Sequence, residues 1–231
     1  MAARFLDRRD AGRRLSAKLT HHAGTDAIVL ALPRGGVPVG YEVARALNLD
    51  LDVFIVRKLG VPGHQELAMG AVASGGVRVT NPTVIRALGI PDAIVERIAE
   101  YETNEIARRE QRYRAGRPPV STEGRPVIVV DDGLATGASM YAAISAIRAR
   151  GTSRISIAVP LASPEICADM RSRADEVVCL WTPVALYAVG LWYEDFTQTT
   201  DEEVCELLGV DRATRERRAG APARGRRPWA R

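Results

Sequence analysis

The sequence predicts an α/β fold: a doubly wound, mainly parallel sheet flanked by helices. Short apolar segments alternate with helical patterns, which favours right-handed βαβ crossovers. With 231 residues, 46% apolar and 26% charged, the chain can bury one sizeable core. The predicted strands are Ala27–Leu32, Leu51–Val56, Val127–Val130, Arg154–Pro160 and Glu176–Trp181. The predicted helices are Asp7–Leu19, Val37–Leu47, Pro91–Arg114, Met140–Arg150, Pro164–Ser172 and Asp201–Gly209.

Charge divides the chain into a domain, residues 1–211, and an arginine-rich tail, residues 212–231. The tail contains eight arginines and one glutamate, so it carries +7 and leaves the domain at −3. Its Ala, Gly and Pro content predicts disorder, with at most weak binding of nucleic acid through phosphates. Three cysteines without CxxC spacing indicate a reducing compartment, and no apolar run predicts export or a membrane span. We therefore expect a cytoplasmic protein that does not enter a membrane.

The N-terminal part supplies a helix and the first glycine loop. The arginines of the helix Asp7–Leu19 are predicted to face solvent, and the pair His21–His22, with no further ligand nearby in sequence, is assigned no metal. After the first strand, Arg34, Gly35 and Gly36 let the backbone approach a ligand closely.

The second predicted strand ends in two cations, Arg57 and Lys58, which would face the ligand crevice at the carboxyl edge of a parallel sheet. The glycine-rich segment that follows predicts a mobile loop that closes over a reaction and excludes water. Glu66, its only carboxylate, is the first candidate acid/base, and His64 is the second; an exposed loop position is the alternative for both.

Two features precede the central strand. The segments Ala68–Ala73 and Gly76–Thr80 predict a β-hairpin at the margin of the sheet. In the long helix Pro91–Arg114, a packed stripe is predicted at Ile94, Ile98, Tyr101 and Ala107, with Glu/Arg pairs on a solvated face.

The chain is organised around VIVVDDGLATGAS, residues 127–139. A strand, a glycine loop and a helix N-terminus form an anion cradle, because free backbone N–H groups and the helix dipole converge there. Asp131 and Asp132 can accept hydrogen bonds from vicinal hydroxyls or hold water on a divalent cation. A sugar phosphate would satisfy both the anion cradle and the acid pair. Ala138, which follows Gly137, excludes a Walker loop, and no GxGxxG occurs.

This stretch resembles the 5-phosphoribosyl-1-pyrophosphate (PRPP) motif of type I phosphoribosyltransferases: an apolar strand, two acids, three variable residues and Thr-Gly-x-Ser/Thr. Arg34–Gly36 is similar to the pyrophosphate loop of that family, and RKLGVPG is similar to adenine phosphoribosyltransferases. The resemblance covers about residues 25–200. It implies a small hood, built from the N-terminal helix and residues 183–211. There Trp192 and Tyr193 either plug the core edge or stack a planar base.

The resemblance also implies a role for each loop residue. Asp131 and Asp132 would bind the ribose hydroxyls and orient the waters of Mg²⁺. Arg34–Gly36, Arg57 and Lys58 would stabilise the departing pyrophosphate while a nitrogen nucleophile attacks the ribose. The loop would be shaped by Gly133, Leu134 and Ala135, and the 5-phosphate held by Thr136, Gly137, Ala138 and Ser139.

One departure from the family pattern restricts which acceptor is expected. Transferases for 6-oxopurines carry an aspartate before the Thr-Gly pair, and Ala135 stands there in this chain. Hypoxanthine and guanine are therefore disfavoured, and a small planar acceptor such as another nucleobase is expected. The alternative function is a non-catalytic sensor of PRPP or nucleotides with a polyanion-binding tail. A homodimer is expected in either case.

Overall fold

A computed structural model describes residues 4–210 and 227–229, except for the side chains of Gln65 and Glu66. The strands are β1 Ile28–Ala31, β2 Asp50–Val53, β3 Val56–Val61, β4 His64–Ala73, β5 Val77–Thr80, β6 Pro126–Val130, β7 Arg154–Leu161 and β8 Glu176–Trp181. The α-helices are α1 Arg8–Ser16, α2 Gly36–Leu47, α3 Pro82–Ala87, α4 Asp92–Arg114, α5 Ala138–Arg148, α6 Pro164–Arg171 and α7 Asp201–Leu207. Short 3₁₀ turns span Thr20–His22 and Val189–Trp192.

Five strands form a parallel sheet in the order β2-β1-β6-β7-β8, which confirms the predicted fold class. Because successive side chains of a strand point to opposite faces, the sheet has an apolar core on each side. Val29 and Ile128 pack on the side of α2, whereas Ile28 and Val127 pack on the side of α5 and α6. Helices therefore cover both faces.

The predicted hairpin is confirmed as β4 and β5, but it belongs to a separate antiparallel sheet in the order β3-β4-β5, and β3 with the start of β4 replaces the predicted mobile loop. The chain leaves the parallel sheet after Val53, where Ser74 holds the bend by accepting a hydrogen bond from Ile55 N–H at 2.9 Å. Leu59 and Met69 are fully buried in the main core, so the segment is fixed by apolar packing. The prediction of one strand through Val56 was therefore wrong.

The buried face of the long helix α4 agrees only in part with the predicted stripe. Ile98 is partly buried against the core as predicted, and Val95, Ala99 and Ile106 are buried, whereas Tyr101 is 70% exposed and Ala107 is also exposed. The preceding helix α3 was not predicted; Asn81 caps it by accepting a hydrogen bond from Val84 N–H at 3.2 Å.

A buried ion pair attaches the end of α4 to the parallel sheet. The Nε atom of Arg114 lies 3.0 Å from Oδ1 of Asp52 on β2, and another guanidinium nitrogen donates to the carbonyl of Val53 at 2.8 Å. The second oxygen of Asp52 accepts a hydrogen bond from Val120 N–H at 3.0 Å. The carboxylate therefore joins a strand, a helix end and the connector to β6.

The C-terminal residues 227–229 contact the domain. The ring of Trp229 meets Tyr41 edge-on at 5.5 Å, and Arg227 lies 3.5 Å from Asp50. The disorder of the tail stays a prediction, and residues 212–226, 230 and 231 lie outside the described part of the chain. Within that part, no helix has both the length and the apolar character that crossing a membrane requires.

Replacing Asp52 by Asn tests the buried pair. Because the variant removes the more buried of the two carboxylates that pair with Arg114 and leaves only Glu110 at 2.8 Å, we expect the free energy of unfolding in urea to fall by about 2 kcal/mol. Asp50→Asn on the same strand is the control. Its partners Arg125 and Arg227 are partly exposed, so we expect less than about 1 kcal/mol. Equal losses in the two variants would contradict this assignment.

Candidate functional site

Two glycine-containing loops meet at the carboxyl edge of the parallel sheet. β1 and β6 pair from Ile28↔Val127 to Ala31↔Val130, and Leu32 N–H donates to the carbonyl of Val130 at 2.9 Å. The loop around Arg34 therefore lies directly against the loop that begins at Asp131. The peptide bond between Pro33 and Arg34 is cis.

The close approach of these loops requires glycine. A Cβ atom at Gly36 would lie 2.8 Å from the carbonyl oxygen of Val130, and one at Gly35 would overlap the carboxylate of Asp132. Any larger residue would push the first loop away from the acid pair. The structure thus brings together Gly35, Gly36, Asp131 and Asp132, as the sequence predicted.

The acid pair is electrostatically unfavourable. Burial, together with the neighbouring Asp132 charge, raises the pKa of Asp131 well above its ordinary value. Burial also raises the pKa of Asp132, although a hydrogen bond from Arg8 opposes that rise. Oδ1 of Asp131 accepts a hydrogen bond from the backbone N–H of Asp132 at 2.9 Å, which holds the Asp131 side chain against the loop backbone.

Arg8 on α1 is a site residue that the sequence analysis missed. Its Nε atom donates to Oδ2 of Asp132 at 2.8 Å, and its Nη1 donates to the carbonyl of Thr197 at 2.7 Å. The guanidinium lies 3.8 Å from the centre of the Phe196 ring. Only 11% of the side chain is exposed, so the prediction that the arginines of this helix face solvent was wrong for Arg8.

Tyr193 and Trp192 lie in the hood, but the ring of Tyr193 is enclosed. It is 3% exposed and packs against Phe5 and Phe196 at ring-centre distances of 5.3 and 4.9 Å. Its hydroxyl donates to the carbonyl of Asp132 at 2.6 Å, and burial raises its pKa. Tyr193 therefore positions the acid loop, and the predicted role in stacking a base does not fit. Trp192 is half-buried.

The second half of the central loop leads into α5. Leu134 N–H donates to the carbonyl of Leu161 at 2.9 Å, and Gly137, at φ 72°, turns the chain into the helix. Thr136 and Ser139 are exposed beside the helix N-terminus. This is the strand–loop–helix arrangement that the predicted phosphate cradle requires.

An open groove of about 530 Å³ lies beside this helix N-terminus. Lys58 lines it together with Thr136 and Ser139, although Lys58 belongs to the second sheet. Arg173 also lines it, with its guanidinium 4.8 Å from the centre of the Tyr141 ring. No sequence pattern pointed to Arg173, which follows α6 and is distant from the motif.

Arg57 and Lys58 do not act as a pair. Both lie within the antiparallel strand β3, where neighbouring side chains point to opposite faces, so the predicted position at the end of a parallel strand was wrong. The Nε atom of Arg57 lies 2.6 Å from Oε2 of Glu102 on α4. The side chain of Glu66 lies outside the described residues, and His64 is exposed at the start of β4.

Arg34 faces a charged cluster below the first loop. Its guanidinium lies 3.7 Å from Asp201, which also accepts a hydrogen bond from Tyr113 at 2.5 Å and from Arg112 at 2.9 Å. The hydrogen bond from Tyr113, together with the arginine charges, lowers the pKa of Asp201. The carboxylate thus remains ionised and holds Arg34 beside Gly35.

Comparison with known proteins gives a consistent result. A family model described as "Phosphoribosyl transferase domain" matches residues 4–186. Over 212 residues, the chain is 47% identical to a Mycobacterium tuberculosis protein named "putative phosphoribosyl transferase", covering 92% of this chain and 47% of that protein. The chain thus spans about half the length of the curated relatives it matches first.

Two further proteins are similar. A uracil phosphoribosyltransferase of Lactobacillus gasseri is 34% identical over 137 residues, covering 57% of this chain and 62% of that protein. The crystal structure of the Thermus thermophilus protein TT1426 superimposes with a TM-score of 0.78 at 46% identity, covering 89% of this chain and 97% of that chain.

Asp131→Asn tests the cost of the acid pair. Because the folded protein raises the pKa of Asp131, the carboxylate destabilises the fold above that pKa, and the cost disappears as the pH falls toward the ordinary value of about 4. We expect the free energy of unfolding of the variant to be higher at pH 7, by at most about 1.4 kcal/mol for each unit of pKa elevation. Thermal unfolding should show this as a higher Tm at pH 7 and no difference in Tm at low pH. Glu96→Gln, which removes a carboxylate stabilised by Arg78, is the control and is not expected to stabilise. A destabilised Asp131→Asn at pH 7 would contradict the prediction.

Arg8→Met tests the contact between α1 and the acid pair. Loss of the hydrogen bond and the positive charge is expected to raise the pKa of Asp132 further, measured by NMR titration of the aspartate carboxyl carbons. The neighbouring Arg9→Met is the matched control, because Arg9 is 40% exposed and lies 3.7 Å from Glu42 instead. An Asp132 pKa that is the same in both variants would refute the assignment.

Proposed function

The chain belongs to the type I phosphoribosyltransferase family, and on that premise we propose that it transfers the 5-phosphoribosyl group of PRPP to a nitrogen atom of a planar acceptor. Pyrophosphate is released. The observation that carries the proposal is the junction of the two loops, in which Gly35 and Gly36 press against Asp131 and Asp132.

The sugar phosphate end of PRPP fits the second loop. The 5-phosphate binds at the N-terminus of α5, where the hydroxyls of Thr136 and Ser139 add donors to the backbone N–H groups. The ribose hydroxyls donate to the carboxylates of Asp131 and Asp132. Lys58, on the wall of the same groove, attracts the anionic ligand.

The acid pair has the donor set for Mg²⁺, which is bound through one or two carboxylates and keeps most of its waters. Two neighbouring carboxylates with raised pKa values gain from a nearby cation, because it offsets their mutual repulsion. Bound Mg²⁺ would supply charge neutralisation for the pyrophosphate. Arg8 takes one oxygen of Asp132 and leaves the remaining oxygens of the pair for ribose or for metal-bound water.

The first loop stabilises the leaving group. Negative charge grows on pyrophosphate as its bond to ribose C1 breaks, so donors held in advance at that position lower the barrier. Arg34 is held beside the loop by Asp201, and the absence of side chains at Gly35 and Gly36 brings backbone groups close to the ligand. Glu66 stays a candidate acid/base in this proposal.

The acceptor is a nucleobase other than a 6-oxopurine. Ala135 provides no carboxylate to handle a proton of hypoxanthine or guanine. The similarity to a uracil phosphoribosyltransferase makes uracil the first acceptor to test, followed by adenine and orotate. We also propose a homodimer and a cytoplasmic location.

Pyrophosphate release tests the proposal directly. With PRPP, Mg²⁺ and one base at a time, we expect release with one of uracil, adenine or orotate and none with hypoxanthine or guanine. The double variant Asp131→Asn/Asp132→Asn is expected to lose at least about 100-fold in kcat/KM, since it removes contacts to the ribose and the metal. Glu96→Gln, an exposed carboxylate-to-amide change on α4, serves as the control and should retain the rate.

The same experiment separates the alternative. Calorimetric binding of PRPP without pyrophosphate release from any base would favour the non-catalytic sensor. Failure to bind PRPP or ribose 5-phosphate in the presence of Mg²⁺ would overturn both functions.

A further inference from the structure

Three potential metal ligands meet at the amino end of β8. The Nε2 atom of His21 lies 2.8 Å from Oε1 of Glu176, and the Nε2 atom of His22 lies 2.9 Å from Oε2. One ligand atom from each residue lies within 4.8 Å of the other two. The sequence assigned no metal to the histidine pair because no further ligand lies nearby in sequence, and Glu176 follows His22 by 154 positions along the chain.

The donor set is that of a zinc-type site. Zn²⁺ is bound by imidazole nitrogen and carboxylate oxygen, and sites with three protein ligands keep a fourth position for water. Ligands of a tetrahedral Zn²⁺ lie about 3.4 Å apart, so the two contacts to Glu176 need to open by only about half an ångström.

The surroundings hold the ligands in place. Ser156 on β7 donates a hydrogen bond to Oε2 of Glu176 at 2.8 Å, the kind of outer contact that orients a ligating carboxylate. The backbone of His22 is fixed by a hydrogen bond to Leu19 and by the hydroxyl of Thr25 at 2.7 Å. His22 is buried and His21 is 54% exposed, so an ion enters from the solvent side.

The cluster is separate from the proposed PRPP site. All pairs in the five-stranded sheet are parallel, so the amino end of β8 and the acid loop after β6 lie at opposite edges of that sheet. Nothing in the proposed transfer reaction uses this edge.

We propose that His21, His22 and Glu176 bind a divalent transition-metal ion of the zinc class. The ion clips the turn after α1 to the edge strand β8. At the other end of the same strand, Phe5 stacks on Trp181 at 3.9 Å. The N-terminal segment is thus anchored at both ends of β8, and metal binding stabilises the anchor at the amino end.

Zinc titration of the full chain without an affinity tag tests the proposal. We expect one equivalent of Zn²⁺ bound in competition with a chromogenic chelator, a rise in Tm relative to the EDTA-treated protein, and the intense visible absorption of tetrahedral Co²⁺ on cobalt substitution. His22→Ala and Glu176→Gln should lose this equivalent, the Tm rise and the cobalt band. Ser156→Ala should bind about 10-fold to 100-fold more weakly.

His64→Ala is the matched control, since it removes the third histidine of the chain and leaves the cluster intact. It should bind one equivalent as the unchanged protein does. Glu176→Gln keeps a side chain that can hydrogen-bond to both imidazoles, so a folded variant that has lost the metal supports the site. No bound equivalent in the unchanged protein, or His22→Ala and Glu176→Gln variants that bind Zn²⁺ as tightly as the unchanged protein does, would overturn the proposal.

Discussion

The parallel pairing of β1 with β6 is the constraint on which the site depends. The register ends both strands at the same level, so the loops that follow them occupy the same space at the edge of the sheet. That crowding is possible only because Gly35 and Gly36 lack side chains where Asp131 and Asp132 lie. Glycine here serves a contact between loops, which is a different use from the left-handed turn at Gly137.

Holding the carboxylates of Asp131 and Asp132 close together lowers the stability of the folded protein. Burial and like charge raise the pKa values of the acid pair, and the hood provides the compensation. Arg8 brings a positive charge, and Tyr193 ties the Asp132 backbone to the aromatic cluster. These hood residues therefore stabilise the charged loop in the chain without a ligand.

The sequence predicted features that are local and missed those that depend on distant contacts. The strands, the central loop and the alternation with helices follow from short patterns, and the structure confirms the fold class. The sequence did not predict the bend at Phe54–Ile55, because residues 53–56 are all apolar. The predicted strand was therefore too long, and Arg57 and Lys58 were wrongly placed at its end. Arg8 contacts a residue 124 positions away, so no local pattern could distinguish it from its exposed neighbours.

The N-terminal segment contacts the parallel sheet at both the amino and the carboxyl ends of its strands. Phe5 stacks on the carboxyl end of β8, and Arg8 reaches Asp132 at the same edge; His21 and His22 contact the amino end of β8. The same segment carries a site residue, so its contacts with β8 help to set the position of Arg8. The N-terminal segment thereby links its anchoring at the amino end of β8 to the electrostatics of the acid pair at the carboxyl ends of the strands.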